Sequence, residues 1–519
     1  MSNQQQSKSV NRICRNAGSA YQIAFPISQG LRLLVINCLM FSLFQIGGCA
    51  SISEQNQAIN KSDKIYTPTE LKQDLKFLNN ALQQIHPEPF ARLDADLYKA
   101  NYQQVYQDLS WPQRRQDFYR RVTPLITQFS EVHTRILYPQ EEYQRLIEEY
   151  GSFPLAVLYS SDGLIVVADQ QQPEQVPVGA EIVAINDIPI DTILEKFQQY
   201  VPGETDSGQR RMIQMEFSKL LWGVYQIRSD YQVDYLWQGK IFQKSLQGLI
   251  RKKPSKKSDE AQPVVSHYGA IAINDQTSLL WFNDFNEQYD KFEDFLDNQF
   301  KQLEGQDRNL ILDLRYNQGG ISDNLVLLLT FLTQKPVNWA TEVSIKLSEP
   351  FRQQHSLLLK DTKTQKYGDY LDWLPVEYFN LWHWELLLSS NGELVESSID
   401  SVVSDRDNYF TGKIFVLSNG YCFSACATLI ATLQQNQMAT IIGESPGSLT
   451  HVQYGYPVSV ELPNTGLTLV VPAMKFVREM DDVNTKQVIV PDHQVERRGI
   501  DVLMGVDPVL NKALELSNR

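Results

Sequence analysis

The chain has 519 residues, 42% of them hydrophobic and 21% charged, with ordinary Gly and Pro content, the composition of a folded globular protein of about three domains. The 47 basic and 61 acidic residues leave a formal charge of −14, which argues against nucleic acid as a partner held by counterion release. Five cysteines are too few for a disulfide scaffold, and no paired C-x-x-C element, H-E-x-x-H, Walker A loop or dinucleotide fingerprint is present, so no metal or cofactor is expected.

The first fifty residues stand apart. No acidic residue occurs from Met1 to Ser53, and Lys8, Arg12, Arg15 and Arg32 precede or open an apolar run from Leu31 to Phe44. Charged and apolar regions in that order read as a secretory signal. The run is too short to span a bilayer as a continuous helix, and it carries Asn37, which disfavours the alternative of a transmembrane anchor. It ends at Ile46-Gly47-Gly48-Cys49, which resembles a bacterial lipobox. The resemblance implies a signal peptide over 1–48, lipidation of Cys49 and a tether over 49–64. Ala50 rather than Asp after the cysteine implies the outer membrane, with the body facing the periplasm. Cleavage there would remove four basic residues and make the charge −18, since 43 basic residues would face 61 acidic ones.

Thr67-Pro68-Thr69-Glu70 has the form of a capping box with Pro at the first helical position. Leu71, Leu75, Leu78, Leu82 and Ile85 then follow at helical spacing until Pro87. Further helical stretches at Leu97–Leu109 and Trp111–Phe129 complete an N-terminal helical domain over 65–138. From Phe153 the period becomes that of strands. Gly179-Ala180-Glu181-Ile182-Val183-Ala184-Ile185-Asn186 resembles part of a PDZ module, whose mode of binding is to add an extended peptide as a strand; an ordinary hairpin is the alternative. This PDZ-like, β-rich module is placed at 139–249, followed by a charged linker at 250–264 and a last domain at 265–519.

In that last domain Ser278–Phe282 reads as a strand, Tyr289–Leu303 as an amphipathic helix and Asn309–Arg315 as a buried strand leading to Gly319-Gly320. A second buried strand, Lys413–Ser418, leads to Ser424 at the start of a helix of small residues. The helix dipole and free amides there suit a serine nucleophile, although N-capping alone also explains a serine at that position.

Asp313-Leu314-Arg315-Tyr316-Asn317-Gln318-Gly319-Gly320 resembles the D-L-R-x-N-x-G-G signature of the tail-specific, or C-terminal processing, serine peptidases. Ser424-Ala425 with Ala439–Glu444, and Pro491-Asp492 with Asp507–Leu510, resemble two further motifs of that family in the family's order. The resemblance implies an α/β protein with a crotonase-like catalytic domain of strand-strand-helix units, behind the helical domain and the PDZ-like module. It also implies an acyl-enzyme on Ser424 and an oxyanion held by the N–H groups of Ala425 and Gly319 or Gly320. The base departs from the best-known branch, because Ser448 stands where that branch has lysine. Glu131-Val132-His133-Thr134 resembles the D-G-H-T element of a second branch, which makes His133 the expected base and His451 its rival. Glu479, Asp481 or Asp482 would orient the histidine, Asp482 being the named candidate.

Cys422 and Cys426 flank Ser424 and are expected as free buried thiols, a bridge within one helix being strained. The aromatic stretch Tyr367–Trp384 reads as core packing or as a lid over apolar peptide side chains. The expected activity is that of a cell-envelope serine endopeptidase acting on protein or peptide, anchored by lipid and able to form homo-oligomers. An inactive peptide-binding or scaffolding lipoprotein of the same fold, and an esterase using the same Ser–His pair, are the alternatives.

Overall fold

The structure is a computed structural model that describes residues 64–171, 173–250, 266–303, 308–354, 388–479 and 488–518. The Cys49 motif, most of the 250–264 linker, the aromatic stretch, Asp481 and Asp482 lie outside those residues. Among the described residues no helix is long and apolar enough to cross a membrane.

The expected capping box forms. Thr67 Oγ1 accepts the Glu70 N–H, and the Glu70 carboxylate accepts the Thr67 N–H, opening the helix Pro68–Ile85. Leu71, Leu75, Leu78, Leu82 and Ile85 form its buried face. The helix ends with His86 in extended backbone, the conformation favoured before proline. The Trp111–Phe129 stretch is helical only over Arg115–Thr127, because Gln113–Arg114 instead pair as a short strand with Ile65–Tyr66. That is a local propensity overridden by a long-range pairing.

Three larger sheets follow, in a mixed α/β architecture. One contains Leu155–Ser160, Gly163–Asp169, Glu181–Ile185, Tyr231–Trp237 and Lys240–Leu246 in that order, all antiparallel, with helices Ile190–Gln198 and Asp206–Tyr225 inserted before its last two strands. A second sheet orders its strands Tyr268–Asn274, Thr277–Phe282, Asn309–Asp313, Lys413–Ser418, Thr440–Gly443 and His493–Gln494. Its first pair is antiparallel and the rest are parallel. Leu310, Ile311, Leu312, Val416 and Leu417 are fully buried, as expected of parallel strands covered on both faces. The third sheet holds the long hairpin Val452–Glu461 and Thr468–Val477, onto which Arg135–Ile136 pairs as a short strand.

The second sheet puts the ends of its central strands side by side. Asn309–Asp313 leads to the Gly319-Gly320 turn, and Lys413–Ser418 leads to Ser424 and the helix Ala425–Gln435. The strand expected to run to Arg315 stops at Asp313, since Arg315 folds back onto the Asp313 carboxylate through Nε (2.9 Å) and Nη2 (2.6 Å).

Candidate active site

Ser424 occupies the junction between a buried strand and a buried helix, with φ 50° and ψ −125°. Positive φ is uncommon for a residue with a Cβ and marks strain held in place by its surroundings. Its hydroxyl makes no capping hydrogen bond, which removes the N-cap explanation for a serine here. The backbone around it is fastened instead. The Ser424 N–H donates to Ser448 Oγ at 3.1 Å, the Thr428 N–H donates to the Ser424 carbonyl at 3.0 Å, and the Phe423 N–H reaches the Asn317 carbonyl at 3.4 Å. Ser448, expected at the position where the best-known branch has lysine, is thus a buried serine that accepts from the Ser424 amide.

Gly319 closes against this junction. A Cβ there would stand 2.8 Å from the Phe423 carbonyl oxygen, 2.9 Å from Ser424 Cβ and 3.1 Å from the Ala425 nitrogen, and φ is +95°. Glycine is thus required twice, by close approach and by conformation. The Gly319 N–H donates to Asn317 Oδ1 at 2.8 Å, and its carbonyl accepts the Phe285 N–H at 2.9 Å. The Gly320 and Ala425 N–H groups carry no hydrogen bond among the described residues. Of the two glycine amides expected to bind an oxyanion, that of Gly320 is the one left uncommitted.

His133 lies in the turn between helix Arg115–Thr127 and strand Arg135–Ile136. Burial is the main influence on its imidazole, which is pushed down to about 4, with Arg135 acting in the same direction and Glu131 and the Tyr454 backbone opposing. Its Nδ1 is buried without a hydrogen-bond partner among the described residues. No hydrogen bond joins His133 to Ser424 among the described residues. His451 is fixed differently, its Nδ1 lying 2.7 Å from the Arg478 carbonyl, which makes Nδ1 the protonated nitrogen. Glu479 is exposed.

Glu131 does not bond to His133. Its Oε2 receives His86 Nε2–H at 2.8 Å and the Thr134 hydroxyl at 2.9 Å in a fully buried cluster. His86 Nδ1 accepts the Glu88 N–H at 3.0 Å, which fixes the proton on Nε2. Sequence reasoning missed His86, whose position outside every signature gave no signal. It missed Glu204 for the same reason, although that carboxylate meets both the His133 turn and the loop carrying Ser448.

Cys422 and Cys426 are free and buried, as expected. Cys422 Sγ lies 3.1 Å from the Leu314 carbonyl, and burial pushes the Cys426 thiol up, so neither resembles a nucleophile. The described residues hold no cluster of His, Cys, Asp and Glu that could bind a metal ion.

Residues 276–495 match the model of peptidase family S41, while no curated protein matched the chain. Among solved structures, mature CPAF is similar at 16% identity over 86% of this chain and 97% of that one, with a TM-score of 0.60. A CPAF mutant gives 16% identity over 87% and 97%, with a TM-score of 0.63. Mature CPAF complexed with lactacystin gives 16% over 86% and 98%, with a TM-score of 0.59. At such identities these likenesses speak to the fold. The chain carries a domain of peptidase family S41 and is a serine-type peptidase.

Proposed function

We propose that the protein is a cell-envelope serine endopeptidase whose nucleophile is Ser424 and whose base is His133. The observation that carries this reading is the strained Ser424, its hydroxyl unspent on capping and its backbone packed against Gly319. Ser424 Oγ attacks the scissile carbonyl as His133 takes its proton. The carbonyl oxygen becomes an oxyanion facing the Ala425 and Gly320 amides, which are preorganised and pay no reorganisation as charge develops. Collapse expels the amine, which receives the proton from His133. Water then repeats the sequence on the acyl-enzyme. A neutral imidazole suits the first step, and burial keeps His133 neutral at pH 7. His133 Nδ1, without a partner among the described residues, is where an orienting carboxylate belongs; Glu479, Asp481 or Asp482 would supply it, Asp482 being the named candidate.

The second reading makes His451 the base. It is favoured by the Nδ1 contact to the Arg478 carbonyl, which leaves Nε2 as an acceptor. His133→Ala and His451→Ala separate the two, since only the true base is needed for fluorophosphonate labelling. A fluorophosphonate probe should label the wild type and not Ser424→Ala; equal labelling of both sinks the assignment of the nucleophile.

In this reading the 276–495 region is a crotonase-like body, and the antiparallel sheet from Leu155 to Leu246 acts as a PDZ-like module that takes an extended stretch of substrate. Lipidation at Cys49 would place both at the outer membrane, facing the periplasm. Metabolic labelling with a radioactive fatty acid that persists in Cys49→Ala would overturn that placement.

A further inference from the structure

We propose that Glu204 is a positioning residue for the peptidase reaction, one carboxylate that holds the turn carrying His133 and the loop behind Ser424 in register. The inference rests on the assignment of Ser424 and His133 made above. Glu204 Oε1 accepts the Val132 N–H at 3.4 Å, beside His133, and Oε2 accepts the Leu449 N–H at 3.0 Å. The residue before Leu449 is Ser448, whose hydroxyl receives the Ser424 N–H at 3.1 Å. A short chain of bonds therefore runs from the base's neighbour, through one side chain, to the nucleophile's own amide.

The brace is itself held at both ends. Arg92 Nη1 lies 3.4 Å from Glu204 Oε2, its Nη2 donates to the Val452 carbonyl at 2.6 Å, and its guanidinium lies over the Tyr454 ring. On the chain side of Glu204, Thr205 Oγ1 donates to the Pro446 carbonyl at 2.9 Å and Ser207 Oγ to the Ser445 carbonyl at 2.7 Å. Gly208 packs so closely that a Cβ would stand 2.7 Å from Gly447. Residues 205–208 thus grip 445–447 through two hydroxyls on backbone carbonyls and one close glycine contact, and Glu204 carries that grip across to the His133 turn. A packed core alone does not call for a carboxylate here: Glu204 is buried with a side-chain exposure of 5%, which is costly for a charge. Two N–H acceptors on one rigid group account for it.

The carboxyl titrates in the working range. Burial raises it to about 7, Arg92 opposes, and Glu131 adds to the rise. Arg92 faces it from the turn after the first helix, and Glu131 from the turn before strand Arg135–Ile136. Asp206, Arg210, Glu444 and Glu496 line the same cleft of about 730 Å³. Protonation converts one of the two acceptor oxygens into a donor that confronts an N–H, so the brace fails as pH falls below about 7.

Steady-state kinetics with a quenched peptide across pH 5–9, on the wild type and Glu204→Gln, tests this. In the wild type kcat should fall below pH ~7 with KM unmoved. Glu204→Gln keeps one acceptor of the two. It should lose about 10²-fold in kcat, the scale of an ångström-level misplacement, with KM within about twofold. Its residual rate should lack the limb near 7. A wild-type profile without that limb overturns the inference, as does Glu204→Gln with wild-type kcat or a loss carried by KM. Should the variant fold poorly by circular dichroism, the wild-type profile alone decides. If Ser424→Ala is inert and Glu204→Gln unimpaired, only the present inference fails; if Ser424→Ala turns over normally, the site assignment fails and the role of Glu204 with it.

Discussion

Gly319→Ala gives the most direct test of how the two strand ends cooperate. At φ +95° an L side chain is strained, and the new Cβ would meet the Phe423 oxygen at 2.8 Å, Ser424 Cβ at 2.9 Å and the Ala425 nitrogen at 3.1 Å. None of these is the end of a flexible side chain, so relief requires the glycine turn and the nucleophile turn to separate by several tenths of an ångström. The conformational cost is about 1–3 kcal/mol, a fraction of the ~5–15 kcal/mol that keeps a domain folded. Most molecules therefore stay folded while the Ala425 and Gly320 amides lose their common focus. Loss of an oxyanion donor costs about 10²–10³ in kcat. The control is Gly392→Ala, also at positive φ (+94°) but with nothing within 4 Å of the added Cβ. It should show a comparable stability loss in urea unfolding and full turnover. Gly319→Ala retaining wild-type kcat, or Gly392→Ala losing as much activity, would refute the reasoning.

Three further outcomes follow from the burial of two groups and from one ion pair. The depressed His133 imidazole makes the folded state lose stability as pH falls from about 6.5 to about 4, because the unfolded chain binds the proton first. Glu204 acts with the opposite sign: raised to about 7 in the folded state, it contributes stability that is full below its unfolded value of 4.5 and is lost as pH rises to 7. Melting curves against pH should show the acid limb flattened in His133→Asn and the alkaline fall removed in Glu204→Gln; unchanged limbs would contradict both. Asp507→Asn should cost about 1–2 kcal/mol in urea unfolding, a partly exposed ion pair lost while a cap is kept. It removes charge from an oxygen pair that Arg315 Nη1 contacts at 2.8 Å, but leaves the oxygen that caps the Leu510 N–H. A midpoint equal to the wild type would show that the pair is worth nothing.

Where the sequence was informative, the information was local. The capping box at Thr67, the helical period to Ile85 and the buried strands before Gly319 and Ser424 each lie within one element, and each formed. The Trp111–Phe129 stretch was misread because Gln113–Arg114 are claimed by Ile65–Tyr66, nearly fifty residues away. Glu131 was legible as part of a histidine motif, yet its partners proved to be His86 and Thr134 rather than His133. Glu204 was invisible because its meaning lies in two amides, 72 and 245 residues distant, that no periodicity connects.

The signature residues themselves divide by task, and the division matters for inference. Asp313, Arg315 and Asp507, drawn from two motifs, meet in one ion-pair cluster that ties a strand end to the last helix. Glu444 pairs with Arg211, and Asp492 Oδ2 accepts the Ile441 N–H at 2.7 Å. These carboxylates brace strand ends and touch neither Ser424 nor an uncommitted amide. Their presence therefore argues for the fold, and an inactive relative could keep every one of them. What argues for chemistry is narrower: among the described residues, a serine held at positive φ with its hydroxyl unspent on capping, the uncommitted amides of Ala425 and Gly320, and an imidazole that burial keeps neutral. With Ser448 committed to the Ser424 amide, no lysine dyad can be rebuilt at that position without first releasing the Ser424 backbone. A histidine on a separate turn then needs its own means of registration, and the Glu204 carboxylate, bonded to both turns, is the group placed to supply it.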